Sequence, residues 1–281
     1  MDTEFSVSFG LNEDAALCAA AAAACFARVD ELEVLLSRFS DTSDVAVVRA
    51  LPDGGVATVA RETMDVLVVC AEVCAATGGA FDPTVERRNF GELTLDVEHL
   101  RVGVGKGPVA LDFGGIGKGY ALDACAALLR SEQFDLHDWL LDAGTSTQVV
   151  CGGPWTLGVG GRWKARTRRA TTLRLSDGAV SGSGFELRGE HVRDVRRGGP
   201  AARWAQSWSR AGTGAVADAL STAALALDAR ELAAACRALE AGVLVARAQR
   251  PLLDRVRDPL AAFGRAFEAR LARPSLAEKG A

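Results

Sequence analysis

The segment Leu111-Asp-Phe-Gly-Gly-Ile-Gly-Lys-Gly-Tyr120 constrains this chain more than any other stretch. Alternation over Val109 to Phe113 predicts a strand, the glycines a tight turn, and residues from about Tyr120 to Arg130 a helix. Glycine lacks a Cβ, so such a turn lets backbone groups come close to a phosphate or a metal. The start of the helix favours negative charge, and Lys118 adds a point charge suited to phosphate. It is not a Walker loop, because no Gly-Lys-Ser/Thr ends it. A glycine-rich turn without a ligand is the commoner origin of such a segment, so chemistry needs support from elsewhere in the chain.

The elements around it alternate between helix and strand. Leu17, Ala21, Cys25, Val29, Leu32 and Leu36 recur at helical spacing and predict a long helix from Glu13 to about Arg38. A second helix is expected from Arg61 to Thr77 through Met64, Leu67, Val68, Ala71 and Cys74, with Gly78 as its left-handed stop and Pro83 forbidding continuation. Strands are expected at Leu93–Val97, Trp139–Leu141, Gln148–Cys151, Trp155–Val159, Thr171–Leu175 and His191–Val195, with Ser181 to Gly184 as a glycine-rich turn. Gly103-Val-Gly-Lys-Gly107 lacks a following helix pattern and reads as a strand turn, not a dinucleotide fingerprint. Val216–Leu227 is a predicted helix. Asp228 and Glu231 form a capping box for the next, Gly242 stops that one, and Val243-Leu-Val-Ala follows it. Residues 251–271 look helical.

Composition excludes several classes. The 281 residues carry 32 basic and 36 acidic side chains, a formal charge of −4, against the basic face that nucleic-acid binding needs. No nucleic-acid partner is expected. Seven cysteines form neither a CxxC pair nor a zinc-type cluster, which fits small buried thiols in a reducing compartment. The apolar stretch Ala15 to Ala27 follows Asp2, Glu4, Glu13 and Asp14 instead of a basic start and is too short for a bilayer, so neither a signal peptide nor a membrane span is expected. A cytoplasmic chain is the expectation.

Asp218-Ala-Leu-Ser-Thr222 places a carboxylate and a hydroxyl four residues apart on one helix face, where both can meet a hard cation such as magnesium. An ordinary helix with a surface Asp gives the same spacing. Of the three histidines, His191 stands out beside Glu190 and Asp194, yet a surface histidine fits the local sequence as well. No Gly-x-Ser-x-Gly elbow is present to support a hydrolase triad.

Taken in order, these pieces resemble the ApbE-type FAD:protein FMN transferases. The matching segments are Leu36 to Ser40 with Asp41 to Asp44, Thr77-Gly-Gly-Ala-Phe-Asp-Pro-Thr-Val85, Leu111 to Asp123, Leu141-Asp-Ala-Gly144, Trp155 to Val159, Ala179 to Gly184, His191 to Asp194 and Val216-Ala-Asp-Ala-Leu-Ser-Thr222. They cover roughly residues 36 to 228. The resemblance implies a Mg²⁺-dependent transfer of FMN from FAD, as substrate, to a Thr or Ser hydroxyl in a recognition loop of an acceptor protein, with release of AMP. Hydrolysis of FAD at the same site, or flavin binding without catalysis, are the alternatives. By the same resemblance Asp112 and Lys118 contact the flavin nucleotide, Gly79, Ala80 and Phe81 line the flavin site, and Phe39 packs near the ring. Gly115 through its backbone oxygen, Asp218 and Thr222 hold the metal. His191, or Asp194 in its place, takes the acceptor proton.

The chain departs from the family pattern at Phe9-Gly-Leu11, at Arg49 where an Asn is usual, at Gly182-Ser-Gly184 and at Asp194-Val-Arg-Arg-Gly198. Ser221 stands where many members carry another acid. The expected fold is α+β, a single ApbE-like domain over residues 1–272, either one body or two lobes with a flavin cleft between them. Residues 273–281 are expected to form a frayed tail.

Overall fold

Small residues dictate the centre of the molecule. The computed structural model describes residues 3–84, 90–106, 108–144, 146–159, 171–184, 193–194, 196, 199–201 and 203–246. The chain runs through β1 (Phe5–Phe9), α1 (Ala15–Leu36), α2 (Asp44–Arg49), β2 (Val56–Thr58) and α3 (Arg61–Ala76). Next come β3 (Leu93–Asp96), β4 (Arg101–Val104), α4 (Gly117–Leu129), β5 (Trp139–Ala143), β6 (Thr147–Cys151) and β7 (Trp155–Val159). It continues through β8 (Thr171–Leu175), β9 (Gly178–Gly184), β10 (Arg193–Asp194), β11 (Gly199–Pro200) and β12 (Gln206–Ala211), and the described residues end with α5 (Gly214–Ala224), α6 (Ala229–Ala238) and β13 (Gly242–Ala246). The fold is α+β, with an antiparallel six-stranded sheet in the order β1-β5-β6-β9-β12-β13.

The sheet has two differently used faces. Cross-strand register puts Thr147 opposite Ser181, Ser181 opposite Ser209, and Ser183 opposite Ser207, so one row of hydroxyls crosses the inner face. Helix α5 lies on that row. Ser207 donates to Ser221 O at 2.5 Å and Ser209 donates to Ala217 O, while Ser183 meets Ser221 Oγ at 2.7 Å. An apolar helix is normally buried along one stripe, but α5 is buried nearly all round, because Ala, Ser and Gly let it approach the sheet on one side and α3 and α4 on the other. On the outer face, Val150 and Val180 join Leu157, Leu173 and Leu175 of the β7–β8 hairpin in a separate apolar cluster.

Helices α4 and α5 touch main chain to main chain. A Cβ on Gly119 would stand 2.1 Å from Gly214 O, and one on Gly214 would stand 2.6 Å from Gly119 O. Two of the chain's glycines therefore serve helix packing. Helix α1 buries Ala21, Cys25, Val29, Leu32 and Leu36, the periodicity expected of it, and lies against α4. Gly78 ends α3 at φ +57°, and Asp228 and Glu231 form the expected reciprocal cap on α6. No helix among the described residues is long and apolar enough to cross a membrane, and the seven cysteines are all free.

Four expectations need correction. Val109–Phe113 alternates in burial as a strand does but pairs with no strand among the described residues; its Asp112 N–H donates to Pro83 O at 2.7 Å. The fully buried positions of α3 include Met64 and Leu67 as expected and also Val66, Cys70 and Val73, whereas Val68, Ala71 and Cys74 are only half-buried. Helix α6 is closed by Glu240 in the left-handed region, at φ 48°, and Gly242 opens β13. Ser181 to Gly184 is not a turn but the end of β9. The segments expected as helix (251–271) and tail (273–281) lie outside the described residues.

The Gly119–Gly214 approach yields a test. Gly119→Ala is expected to lose about 1–3 kcal/mol in urea unfolding through overpacking, whereas Gly212→Ala, with nothing within 4 Å of the added Cβ, should stay within about 0.5 kcal/mol of the parent.

Candidate active site

A carboxylate on a central helix is buried with that helix, and this holds for Asp218. It is 2% exposed, so the expectation of a helix-surface acid is overturned: the helix carrying it has no free face. Burying a charge is costly unless it is paired and hydrogen-bonded. Oδ1 accepts from Ser181 Oγ at 3.2 Å, and Oδ2 accepts from the Gly119 N–H at 3.2 Å. Lys118 Nζ stands 3.3 Å from the same Oδ2 and donates to Gly114 O at 3.2 Å. Ser181 spends its one proton on Asp218, so Thr147 Oγ1, 2.9 Å away, donates to Ser181 in turn. The anion that meets the start of α4 is thus the chain's own carboxylate.

One turn further along α5, Thr222 faces the glycine turn. A Cβ on Gly115 would lie 3.2 Å from Thr222 Oγ1 and 3.5 Å from Phe81 Cε2, so three segments distant in sequence converge on this glycine. Ser183 Oγ lies 3.3 Å from Thr222 Oγ1. Phe81 is delivered by the turn that stops α3: Gly78 and Gly79 both take positive φ, and the Phe81 N–H donates to Thr77 Oγ1 at 3.2 Å. Ala80 and Phe81 are buried. On the other side of the glycine turn, Asp112 Oδ1 accepts from the Gly114 N–H at 2.8 Å, and Oδ2 pairs with Arg38 at 3.0 Å. The Arg38 guanidinium stacks over Phe39, 4.7 Å from the ring centroid, and the ring itself is 82% exposed.

Gly115, Thr222, Phe81, Asp218 and Lys118 are therefore brought together, and Asp112 is joined to Phe39 through Arg38. His191 lies outside the described residues. Asp194 is a backbone member of β10, paired with Gly199, and its side chain is outside the description. Arg196, within one of the departures from the family pattern, pairs with Glu231 at 2.6 Å and donates to Ala226 O at 3.3 Å, which ties its loop to the start of α6. The sequence reading missed Ser181, Ser183, Arg38 and Asp123 as parts of the site. Ser181 and Ser183 carried a usable signal, two hydroxyls two residues apart, which in a strand share one face.

The donors that collect here are hard oxygens: one carboxylate, the Thr222 hydroxyl and the Gly115 backbone. Among the described residues no group of three or more His, Cys, Asp or Glu side chains could hold a metal by itself. Magnesium is commonly held by one or two carboxylates with substrate phosphates and water completing its shell, so this sparse oxygen set fits it when a phosphate substrate is bound. A structural zinc would need more ligands.

The α+β fold thus sets a helix-borne Asp and Thr against a glycine turn and its lysine. The model of the ApbE family matches residues 1–89 and 86–245, and the chain belongs to that family. No curated protein matches it. Among solved structures, the flavin transferase ApbE from Vibrio cholerae is similar at TM-score 0.75 and 17% identity, with 87% of this chain and 90% of that one covered. The ApbE protein from Thermotoga maritima gives 0.74 at 22% identity over 86% and 90%. The apo flavinyl transferase ApbE of Pseudomonas stutzeri gives 0.73 at 21% over 88% of each. These likenesses establish the fold.

Asp123 couples this region to pH. It accepts the Gly214 and Ala215 N–H groups at 2.6 and 2.8 Å, holding the first turn of α5. Burial nevertheless raises its carboxyl to about 6, the two N–H groups opposing and the Asp218 charge adding a little. A carboxyl raised on folding favours the protonated native state, so this contribution is complete below about pH 4 and is lost as pH rises toward 6. At 1.36 kcal/mol per unit the change is about 3 kcal/mol. In urea titrations, Asp123→Asn is expected to gain stability relative to the parent as pH goes from about 4 to 6.5, by an amount of this order; a difference independent of pH would contradict it.

Proposed function

We propose that the chain transfers FMN from FAD to a Thr or Ser hydroxyl of an acceptor protein, with Mg²⁺ bound and AMP released. The observation that carries this is the convergence of Gly115, Lys118, Asp218 and Thr222 at the start of α4, in a chain of the ApbE family. FAD lies with its pyrophosphate along the glycine turn beside Lys118 and Asp112, and with its ring toward Gly79, Ala80, Phe81 and Phe39. Asp218, Thr222 and the Gly115 oxygen would hold Mg²⁺, which when bound would supply charge neutralisation for the pyrophosphate and the transferring phosphoryl group. The acceptor oxygen forms a bond to the FMN phosphorus while the bond from that phosphorus to the AMP oxygen breaks. His191 takes the acceptor proton, with Asp194 as the alternative base. Lys118 steadies the developing negative charge, and the buried wall of Ala80 and Phe81 keeps water from the ring side of the site.

Incubating the protein with FAD, in Mg²⁺ or in EDTA and with or without a Thr-bearing acceptor peptide, tests the proposal. AMP formed only with flavin-labelled peptide, lost in EDTA and in Asp218→Asn, supports transfer. AMP without acceptor means hydrolysis, and bound flavin with no AMP means a binding protein. Asn is preferred to Ala at 218, because Ala would strand the Ser181 hydroxyl, the Gly119 N–H and Lys118 in a buried site at a cost of about 1–3 kcal/mol. Full turnover in EDTA would end the metal assignment.

His191→Ala is expected to lower the transfer rate by about 10²- to 10⁴-fold with little change in FAD affinity. Near-normal transfer by that variant would pass the role of base to Asp194.

A further inference from the structure

The two oxygens of Asp218 are not equally occupied. A carboxylate oxygen offers about two lone-pair positions. On Oδ2 the Gly119 N–H and the Lys118 ammonium take both, at 3.2 and 3.3 Å, whereas Oδ1 is engaged by Ser181 alone among the described residues. The Gly119 donor is backbone locked in α4 against Gly214 and cannot withdraw. Lys118 can. Its side chain is 20% exposed, its stem is flexible, and its second partner is only the Gly114 carbonyl at 3.2 Å.

We infer that the Lys118 ammonium competes with the divalent cation for Asp218, so that Lys118 sets the metal affinity of the site and couples it to nucleotide binding. The inference rests on the metal role proposed above for Asp218. A divalent cation can take the open position on Oδ1 or the occupied Oδ2; at either it shares one carboxylate with the Lys118 ammonium, a like charge that lowers its affinity, and at Oδ2 it must displace that ammonium. The displaced ammonium has a destination at hand, since it already reaches the Gly114 carbonyl on the turn where the pyrophosphate is proposed to lie. A nucleotide phosphate there draws the lysine off Asp218 and frees a lone pair for the cation. By linkage, the factor by which the nucleotide raises cation affinity equals the factor by which the cation raises nucleotide affinity. Lys118 thus lowers cation binding in the absence of nucleotide, although it assists the reaction once both are bound.

The experiment is titration of the full chain with Mn²⁺ alone, without nucleotide, following free Mn²⁺ by electron paramagnetic resonance. Parent, Lys118→Met, Lys118→Arg and Asp218→Asn are compared, and circular dichroism checks that each is folded. Met keeps the length of the apolar stem and removes the charge. Lys118→Met is expected to bind Mn²⁺ about fivefold or more tightly than the parent, the size of one ion pair removed from competition. Lys118→Arg should stay near the parent, and Asp218→Asn should lose binding. Equal or weaker binding by Lys118→Met, with binding still lost in Asp218→Asn, overturns the competition and leaves the metal role standing. Parent-like binding by Asp218→Asn overturns both, and no binding by any folded variant, Lys118→Met included, overturns the competition.

Discussion

A carboxylate that is almost wholly buried needs donors from several sides, and for Asp218 three donors come from two different elements. Ser181 reaches it from β9, the Gly119 N–H from the first turn of α4, and Lys118 from the same turn. Interior charges without such partners are costly by several kcal/mol, so the sheet, α4 and α5 are satisfied only in their mutual positions. The start of α4 adds its own preference for negative charge. The same arrangement that makes the charge tolerable also aims it at the glycine turn, where Thr222 and Gly115 meet.

Around this charge the packing is unusual for a central helix. Helix α5 contacts the sheet through hydroxyls in place of large apolar side chains, with Ser181, Ser183, Ser207 and Ser209 all reaching it. Hydroxyls and glycines bring main chains closer than leucines would, which allows a polar side chain on α5 to find partners on both neighbours. The large apolar residues are displaced outward, to α1 and α3 on one side and to the cluster of Val150, Leu157, Leu173, Leu175 and Val180 on the other. Arg196 shows a similar economy at the edge: its charge is absorbed by Glu231, already part of the α6 cap, and so holds a loop in place instead of standing free to steer a partner.

Much of the local structure was legible in the chain because it depends on near neighbours. The spacing of Cys25, Val29, Leu32 and Leu36, the stop at Gly78 and the Asp228–Glu231 cap all appear where the pattern puts them. Val109 to Phe113 shows where such patterns end. Alternating burial marks an extended chain, but pairing requires a free strand edge, and Asp112 finds Pro83 instead. Ser181 to Gly184 fails in the opposite sense, since glycines and serines that suggest a turn are used as a strand whose small side chains admit α5.

The chain by itself determined the family, the kinds of residue at the site and the helix-face relation of Asp218 to Thr222, because motif spacing and helical period are written in the order of residues. It could not determine that Asp218 is buried, that Lys118 is its ion partner, or that Arg38 links Phe39 to Asp112. Those relations join residues up to a hundred positions apart, and no local period encodes them. The first two follow from one steric fact of the tertiary structure, the contact of Gly119 with Gly214, which brings the start of α4 against α5 closely enough for a backbone N–H and an ammonium to reach the same carboxylate oxygen.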